Sequence, residues 1–255
     1  CKVLLESSFS KKFNVKTIDS TQKSNPMPNI VIRLFYALKR TLIFSVKLIF
    51  DRPHVIILFA SIKTSIIEKG FMAWLAYFFR IPVLMFPRGG PILSQVKESR
   101  ITSIWVRLAL MGSTKILCQG PAWSEFAKET LKFSENDSPI IYNWTATESL
   151  LKIGRNRIPK NPNSTIRIIY LGWVEKMKGI FDLLEACSEI SMHHKFELAI
   201  VGGGSSEDAV RKEIKNKKIV KFVKMYGWLD DNEVREVLMN SDVLIQPSWE
   251  EGFPN

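Results

Sequence analysis

Ile166-Arg-Ile-Ile-Tyr-Leu-Gly-Trp-Val-Glu-Lys-Met-Lys-Gly-Ile-Phe-Asp-Leu-Leu-Glu-Ala-Cys-Ser-Glu-Ile190 changes its period once. The first part, Ile166–Leu171, is apolar and β-branched on nearly consecutive positions, the pattern of a strand buried on both faces. The last part puts Ile180, Leu183, Leu184, Cys187 and Ile190 on one helical face. Between them stands Gly172-Trp-Val-Glu-Lys-Met-Lys178-Gly179, with a glycine for a tight exit from the strand and a lysine just before the helix. Strand, polar loop and amphipathic helix together form the repeating unit of a parallel α/β sheet.

The same alternation runs outward in both directions. Strands are expected at Asn14–Ile18, His54–Ala60, Pro82–Phe86, Lys115–Gln119, Pro139–Tyr142, Phe196–Val201, Val220–Tyr226 and Val243–Gln246. Helices are expected at Ile30–Phe50, Ile62–Phe79, Leu93–Met111, Ala122–Leu131, Gly179–Ser191, Glu207–Asn216 and Asp231–Met239. The alternation breaks at Thr145–Thr165, which holds Pro159, Pro162, Asn161 and Asn163 and has no clear period, so it reads as a linker. The expectation is α/β: two Rossmann-like doubly wound parallel-sheet domains, residues 1–144 and 166–255, joined by 145–165. Both are expected to be truncated, since Cys1-Lys-Val-Leu-Leu reads as the middle of a helix and Glu251-Gly-Phe-Pro-Asn255 as a strand-end loop.

The chain has 255 residues, 36 Lys+Arg and 25 Asp+Glu, a net charge of +11. All of the surplus falls in residues 1–100, because the later segments balance. A nucleic-acid coat would spread its charge; one basic region suits an anionic membrane surface or an acidic ligand. On Ile30–Phe50 the residues Arg33, Arg40 and Lys47 recur every seventh position, a basic stripe that reads either as the solvated side of a core helix or as a face for an anionic leaflet. Cys1, Cys118 and Cys187 have no paired spacing, which excludes a disulfide framework and a CxxC site, and the cytoplasm is the expected compartment. His193-His194 lacks a third ligand at metal spacing, so no metal site is assigned. Asp230-Asp231 before a helix reads as an N-terminal cap.

Three loops of the second half follow strand candidates. Lys178 and Gly179 precede a helix start, where a full charge adds to the partial positive charge of the helix end and suits a diphosphate. Gly202, Gly203 and Gly204 let bare backbone N–H groups approach a phosphate or sugar, although Gly202-x-Gly204-x-x leads into Glu207, which breaks the nicotinamide fingerprint. Pro247-Ser-Trp-Glu250-Glu251-Gly-Phe-Pro-Asn255 puts adjacent carboxylates in a Gly/Pro loop, acceptors for sugar or ribose hydroxyls.

The order Tyr-Leu-Gly172…Lys178-Gly179, Ala-Ile-Val-Gly-Gly-Gly204, Tyr226-Gly-Trp-Leu, Ser241-Asp-Val-Leu-Ile-Gln-Pro-Ser and Glu251-Gly-Phe-Pro-Asn resembles the group 1, family 4 glycosyltransferases over about residues 166–255. The resemblance implies the GT-B fold and a nucleoside-diphosphate sugar, UDP- or GDP-linked, as donor substrate, with no bound cofactor. It implies that Lys178 meets the donor diphosphate and that Glu251 and its loop (Glu250, Gly252, Phe253, Pro254, Asn255) meet the donor sugar. The family's second glutamate would fall beyond Asn255. It also places Arg88, Gly89 and Gly90, with Asn143, on the acceptor side. Two departures stand out: Trp173 occupies the place of an arginine, and Phe86-Pro87-Arg88 lacks the histidine many members carry there.

The implied activity is hexosyl transfer to an acceptor hydroxyl, lipid-linked or saccharide, in cell-surface polysaccharide or glycolipid synthesis, retaining and metal-independent. The expected location is the cytoplasm at the inner face of the membrane, with no nucleic-acid partner. A sugar-nucleotide epimerase or phosphorylase of the same fold and a non-catalytic basic membrane-binding module are the alternatives.

Overall fold

The computed structural model describes residues 2–20, 29–61, 64–89, 91–142, 148–156 and 165–249, and its chain divides into two units on either side of residues 143–147. In the first unit, α1 (Lys2–Glu6), α2 (Ser8–Lys12) and the long α3 (Ile30–Phe50) precede β1 (Ile56–Ala60). Then come α4 (Thr64–Phe78), β2 (Val83–Pro87), α5 (Pro91–Glu98), α6 (Arg100–Met111), β3 (Lys115–Ile116) and α7 (Pro121–Glu129). The three strands are parallel in the order β1-β2-β3. β2 is buried along most of its length, as a strand covered on both faces must be. Val83, Met85 and Ile116 meet Phe44, Leu48, Met72, Ala73, Leu110 and Trp123 in one core.

Several expectations change here. Asn14–Ile18 has no strand pairing among the described residues, and Pro139–Tyr142 contributes a single bridge, Ile140 to Cys118. The helix expected over Leu93–Met111 is two, because Ser99 leaves helical geometry and caps α6 by accepting from the Thr102 N–H at 3.2 Å. The basic stripe of α3 is turned toward the protein. Arg40 donates twice to Glu68 of α4, at 2.8 Å each, and Phe44 and Leu48 are buried on the same side. The apolar side of α3 is the exposed one.

The second unit has α8 (Glu148–Arg155), β4 (Ile166–Leu171), a 3₁₀ turn (Lys176–Lys178), α9 (Ile180–Ile190), β5 (Phe196–Val201) and α10 (Glu207–Asn216). It ends with β6 (Val223–Gly227), α11 (Asp231–Met239) and β7 (Val243–Ile245). α8 lies inside the expected linker and packs against α11, so part of that segment is ordered structure. Its four strands are all parallel in the order β6-β5-β4-β7. Ile168, Tyr170, Ile180, Leu184, Leu198, Ile200 and Val210 form a core separate from that of the first unit. Asp230 starts α11 with a capping box: its carboxylate accepts from the Asn232 and Glu233 N–H groups, while Glu233 accepts from the Asp230 N–H.

Candidate functional site

The strand order decides where a ligand can sit in the second unit. The chain steps outward from β4 to β5 to β6, then returns to place β7 on the other side of β4. The loops after β4 and β7 therefore leave neighbouring strands at the carboxyl end of the sheet, the edge at which open parallel sheets bind ligands. Those loops contain Lys178 and lead to Glu251.

In-register pairing makes the strand ends level. Leu171 pairs with Val201 and Tyr170 with Ile245, so Gly172 and Gly202 leave the sheet side by side and Gln246 stands level with Leu171. The Gln246 side-chain amide donates to the Leu171 carbonyl at 3.2 Å, and the Gly172 N–H donates to Val201 O at 3.0 Å. Gly202 has φ +127°, and a Cβ on it would lie 1.9 Å from Gly172 O. Only glycine lets the two loops touch there.

The glycine run is used differently from the expectation of bare donors. The Gly202 N–H donates to Gly227 O at 2.8 Å and the Gly204 N–H to Glu207 Oε1 at 3.0 Å, which leaves Gly203 as the one glycine N–H of the three without an internal acceptor among the described residues. A Cβ on Gly204 would lie 2.5 Å from Val174 O. Close packing is thus the main reason for glycine at 202 and 204.

The lysine loop is clamped by the loop after β7. Gly179 has φ +66°, and a Cβ on it would lie 2.0 Å from Pro247 O. The Trp249 N–H donates to Met177 O at 3.1 Å, and its indole N–H donates to Asp182 Oδ2 at 2.5 Å. Lys176 Nζ stands 5.8 Å from the Trp249 ring centre. Lys178 is half-buried at the end of the 3₁₀ turn. Among the described residues no side chain caps the N-terminus of α9, where the helix dipole carries partial positive charge. Lys176, Lys178 and the start of α9 thus gather positive charge in the loop after β4.

Trp173 and Trp228 were separate in the sequence reading. Here they meet edge to face with ring centres 4.9 Å apart, beside Gly203, and both are exposed. Trp228 and Trp249 were missed as partners of these loops, because pairs so distant in sequence carry no local period. Tyr170 is buried and its hydroxyl donates to Trp173 O at 2.5 Å, which holds the loop from below.

In the first unit, Arg88 follows β2, and its N–H donates to Ala60 O at 2.6 Å. Its guanidinium is 5.9 Å from the Phe86 ring centre, and burial pulls its pKa below the ordinary arginine range. Gly89 beside it is buried. Gly90, Asn143 and the run Glu250, Glu251, Gly252, Phe253, Pro254 and Asn255 lie outside the described residues. Burial raises the Cys118 and Cys187 thiols to about 11, so neither is a thiolate nucleophile near neutral pH.

Residues 154–255 match the family model for glycosyl transferases group 1. The match spans nearly all of the second unit, so that unit is similar to group 1 glycosyl transferases. An uncharacterized 41.2 kDa protein from the cps region of Klebsiella pneumoniae is 28% identical over 126 residues, 47% of this chain and 32% of that protein. Sucrose-phosphate synthase from Thermosynechococcus elongatus superposes with a TM-score of 0.65 at 15% identity, over 93% of this chain and 63% of that one. Anabaena HepE, solved in complex with UDP and glucose, gives 0.59 at 16% identity, over 97% and 63%. At these identities the likeness shows the fold, which is GT-B: mixed α/β with parallel sheets, as read from the group 1 motifs. The chain spans less than two thirds of the length of each of these proteins.

Proposed function

We propose that this chain is the greater part of a glycosyltransferase that moves a sugar from a nucleoside-diphosphate donor to an acceptor hydroxyl. One observation carries the reading: β4, β5 and β7 end within one residue of each other, so the Lys178 turn, the glycine loop and the start of the loop after β7 leave the same edge of the sheet. HepE was solved with UDP and glucose, and this chain takes the same fold over nearly its whole length. The GT-B fold and the group 1 match favour such a donor here.

In this reading the departing diphosphate gathers charge as the sugar leaves. Lys178, with Lys176 on the same turn and the N–H groups at the start of α9, stabilises that charge without requiring a metal ion. Glu251 orients the donor sugar, and its neighbours Glu250 and Gly252–Asn255 shape that side of the site. Transfer with retention of configuration, a hexosyl donor and a role in cell-surface polysaccharide or glycolipid synthesis complete the proposal. Arg88, Gly89, Gly90 and Asn143 belong to the acceptor side, and a lipid-diphosphate-linked or saccharide acceptor at the inner face of the membrane suits the basic first hundred residues.

In the complete protein, Lys178→Ala lowers sugar transfer at least ~100-fold, the scale expected for losing a transition-state charge contact. Thermal unfolding controls for folding, and undiminished turnover by the variant overturns the assignment. Labelled donor then distinguishes transfer to an acceptor from isomerised donor or free sugar phosphate, the products of an epimerase or phosphorylase.

A further inference from the structure

The chain is tied to the lysine loop before it reaches Glu251. β7 is a three-residue strand whose one neighbour among the described residues is β4, so strand pairing fixes nothing beyond Ile245. Past it, the Gln246 side-chain amide donates to Leu171 O, and Pro247 O fills the space a Cβ on Gly179 would need. The Trp249 N–H then donates to Met177 O at 3.1 Å. The Trp249 side chain adds two contacts of opposite sign. Its indole N–H donates to Asp182 Oδ2 at 2.5 Å, and Lys176 Nζ stands over the ring, 5.8 Å from its centre. An aromatic ring is negative on its face and positive at its edge, so a cation over the face and a carboxylate at the N–H both match it. One indole thus joins the turn that holds Lys178 to the first turn of α9.

Neither the helix nor the core accounts for this arrangement. Asp182 is the third residue of α9, the position from which an acidic side chain can close a capping box on the N-cap N–H. The Gly179 N–H donates instead to Lys176 O at 3.0 Å, and the Asp182 carboxylate meets the indole. Trp249 is 56% exposed and Asp182 is exposed too, so the apolar core of the unit does not depend on either. What Trp249 fixes is distance. Glu251 stands two residues further on, at most about 7 Å of extended chain. Lys178 adjoins Met177, whose carbonyl accepts the Trp249 N–H. We infer that Trp249 is a positioning residue, which holds the loop after β7 on the lysine loop so that Glu251 and Lys178 act on one donor. The inference rests on the donor-site reading and adds to it a side chain that touches no reacting atom, with Asp182 as its anchor.

The test is turnover of UDP-hexoses and GDP-hexoses by the complete protein, read as nucleoside diphosphate released, beside calorimetric binding of UDP and GDP. Trp249→Phe keeps a ring beside Lys176 and removes the N–H that Asp182 accepts; Asp182→Ala removes the acceptor. Each lowers kcat at least ~10-fold, because a hydrogen bond to a charged group is lost and a small displacement of an orienting group is costly. Each binds the bare diphosphate within ~3-fold of wild type, because the lysine loop itself is kept. Asp182→Asn, which retains an acceptor oxygen, keeps kcat within ~3-fold. Trp249→Phe combined with Asp182→Ala falls no further than either alone, since both act through one bond. Melting temperatures stay near the wild-type value, because both side chains are exposed. Wild-type kcat in Trp249→Phe, additive losses in the double variant, or a parallel loss of diphosphate binding each overturns the inference. Lys178→Ala separates the two readings. If it loses turnover while Trp249→Phe does not, the positioning role alone falls. If it turns over like wild type, or if the wild type neither binds a diphosphate nor consumes a donor, the donor-site reading falls and takes the inference with it.

Discussion

At the residue scale, Gly179 carries more of the lysine loop than its chemistry suggests. Gly179 and Gly227 both have left-handed backbones, at φ +66° and +72°, but only Gly179 has an atom, Pro247 O, in the space a Cβ would fill. The two variants therefore separate strain from collision. Gly227→Ala is expected to cost about 1–2 kcal/mol, the left-handed penalty alone. Gly179→Ala is expected to cost at least ~3 kcal/mol, because collision with backbone adds to strain. Chemical denaturation checks both, and equal costs would show that the Pro247 contact does not constrain the loop. Gly179 and Lys178 were legible from order and spacing. Trp249 was not, since its bonds to Met177 and Asp182 exist only once β7 has returned beside β4. The Trp173–Trp228 pair was invisible for the same reason.

At the scale of elements, α3 shows what a period cannot settle. Its residues define two stripes, and hydrophobicity alone assigns the apolar one to the core. Buried Lys69 and half-buried Arg40 instead converge on Glu68 and turn the basic stripe inward. Burial pushes the Glu68 carboxyl up, yet the hydrogen bonds and charges of Arg40 and Lys69 outweigh it and hold the group below its ordinary value. A carboxyl lowered in the folded state contributes stability above its unfolded pKa, ~4.3, and loses it as pH falls through the folded value. Glu68→Gln is expected to destabilise the chain by about 3 kcal/mol at pH 7, because two cations lose their partner. The gap between variant and wild type narrows as pH drops below ~4. Urea titrations from pH 7 to 3 read this, and a pH-independent gap would mean the ion pair is not what holds α3. Element ends follow equally local causes. Ser99 splits one expected helix into α5 and α6, and α8 appears where two prolines downstream drew the eye to a linker.

At the scale of the whole molecule, the two units have separate cores and separate charge. Residues 1–100 hold the whole surplus of +11, while residues 145–255 sum to zero. Donor binding should therefore register in the second unit. Amide exchange in the presence of UDP is expected to slow most in peptides covering 172–179, 202–204 and 246–249, with little change in α3, α4 and α6. The opposite pattern would count against a donor site at the β4/β7 switch point. By itself the sequence determined the α/β class and the order of strands and helices from β4 to β7, because burial on both faces and helical spacing are written in local periods. The tertiary structure alone decided which strands are neighbours, and thus that the loops after β4 and β7 meet. It also decided which stripe of α3 faces the protein, because that choice depends on Glu68 of another helix, and no local pattern encodes a partner so far along the chain.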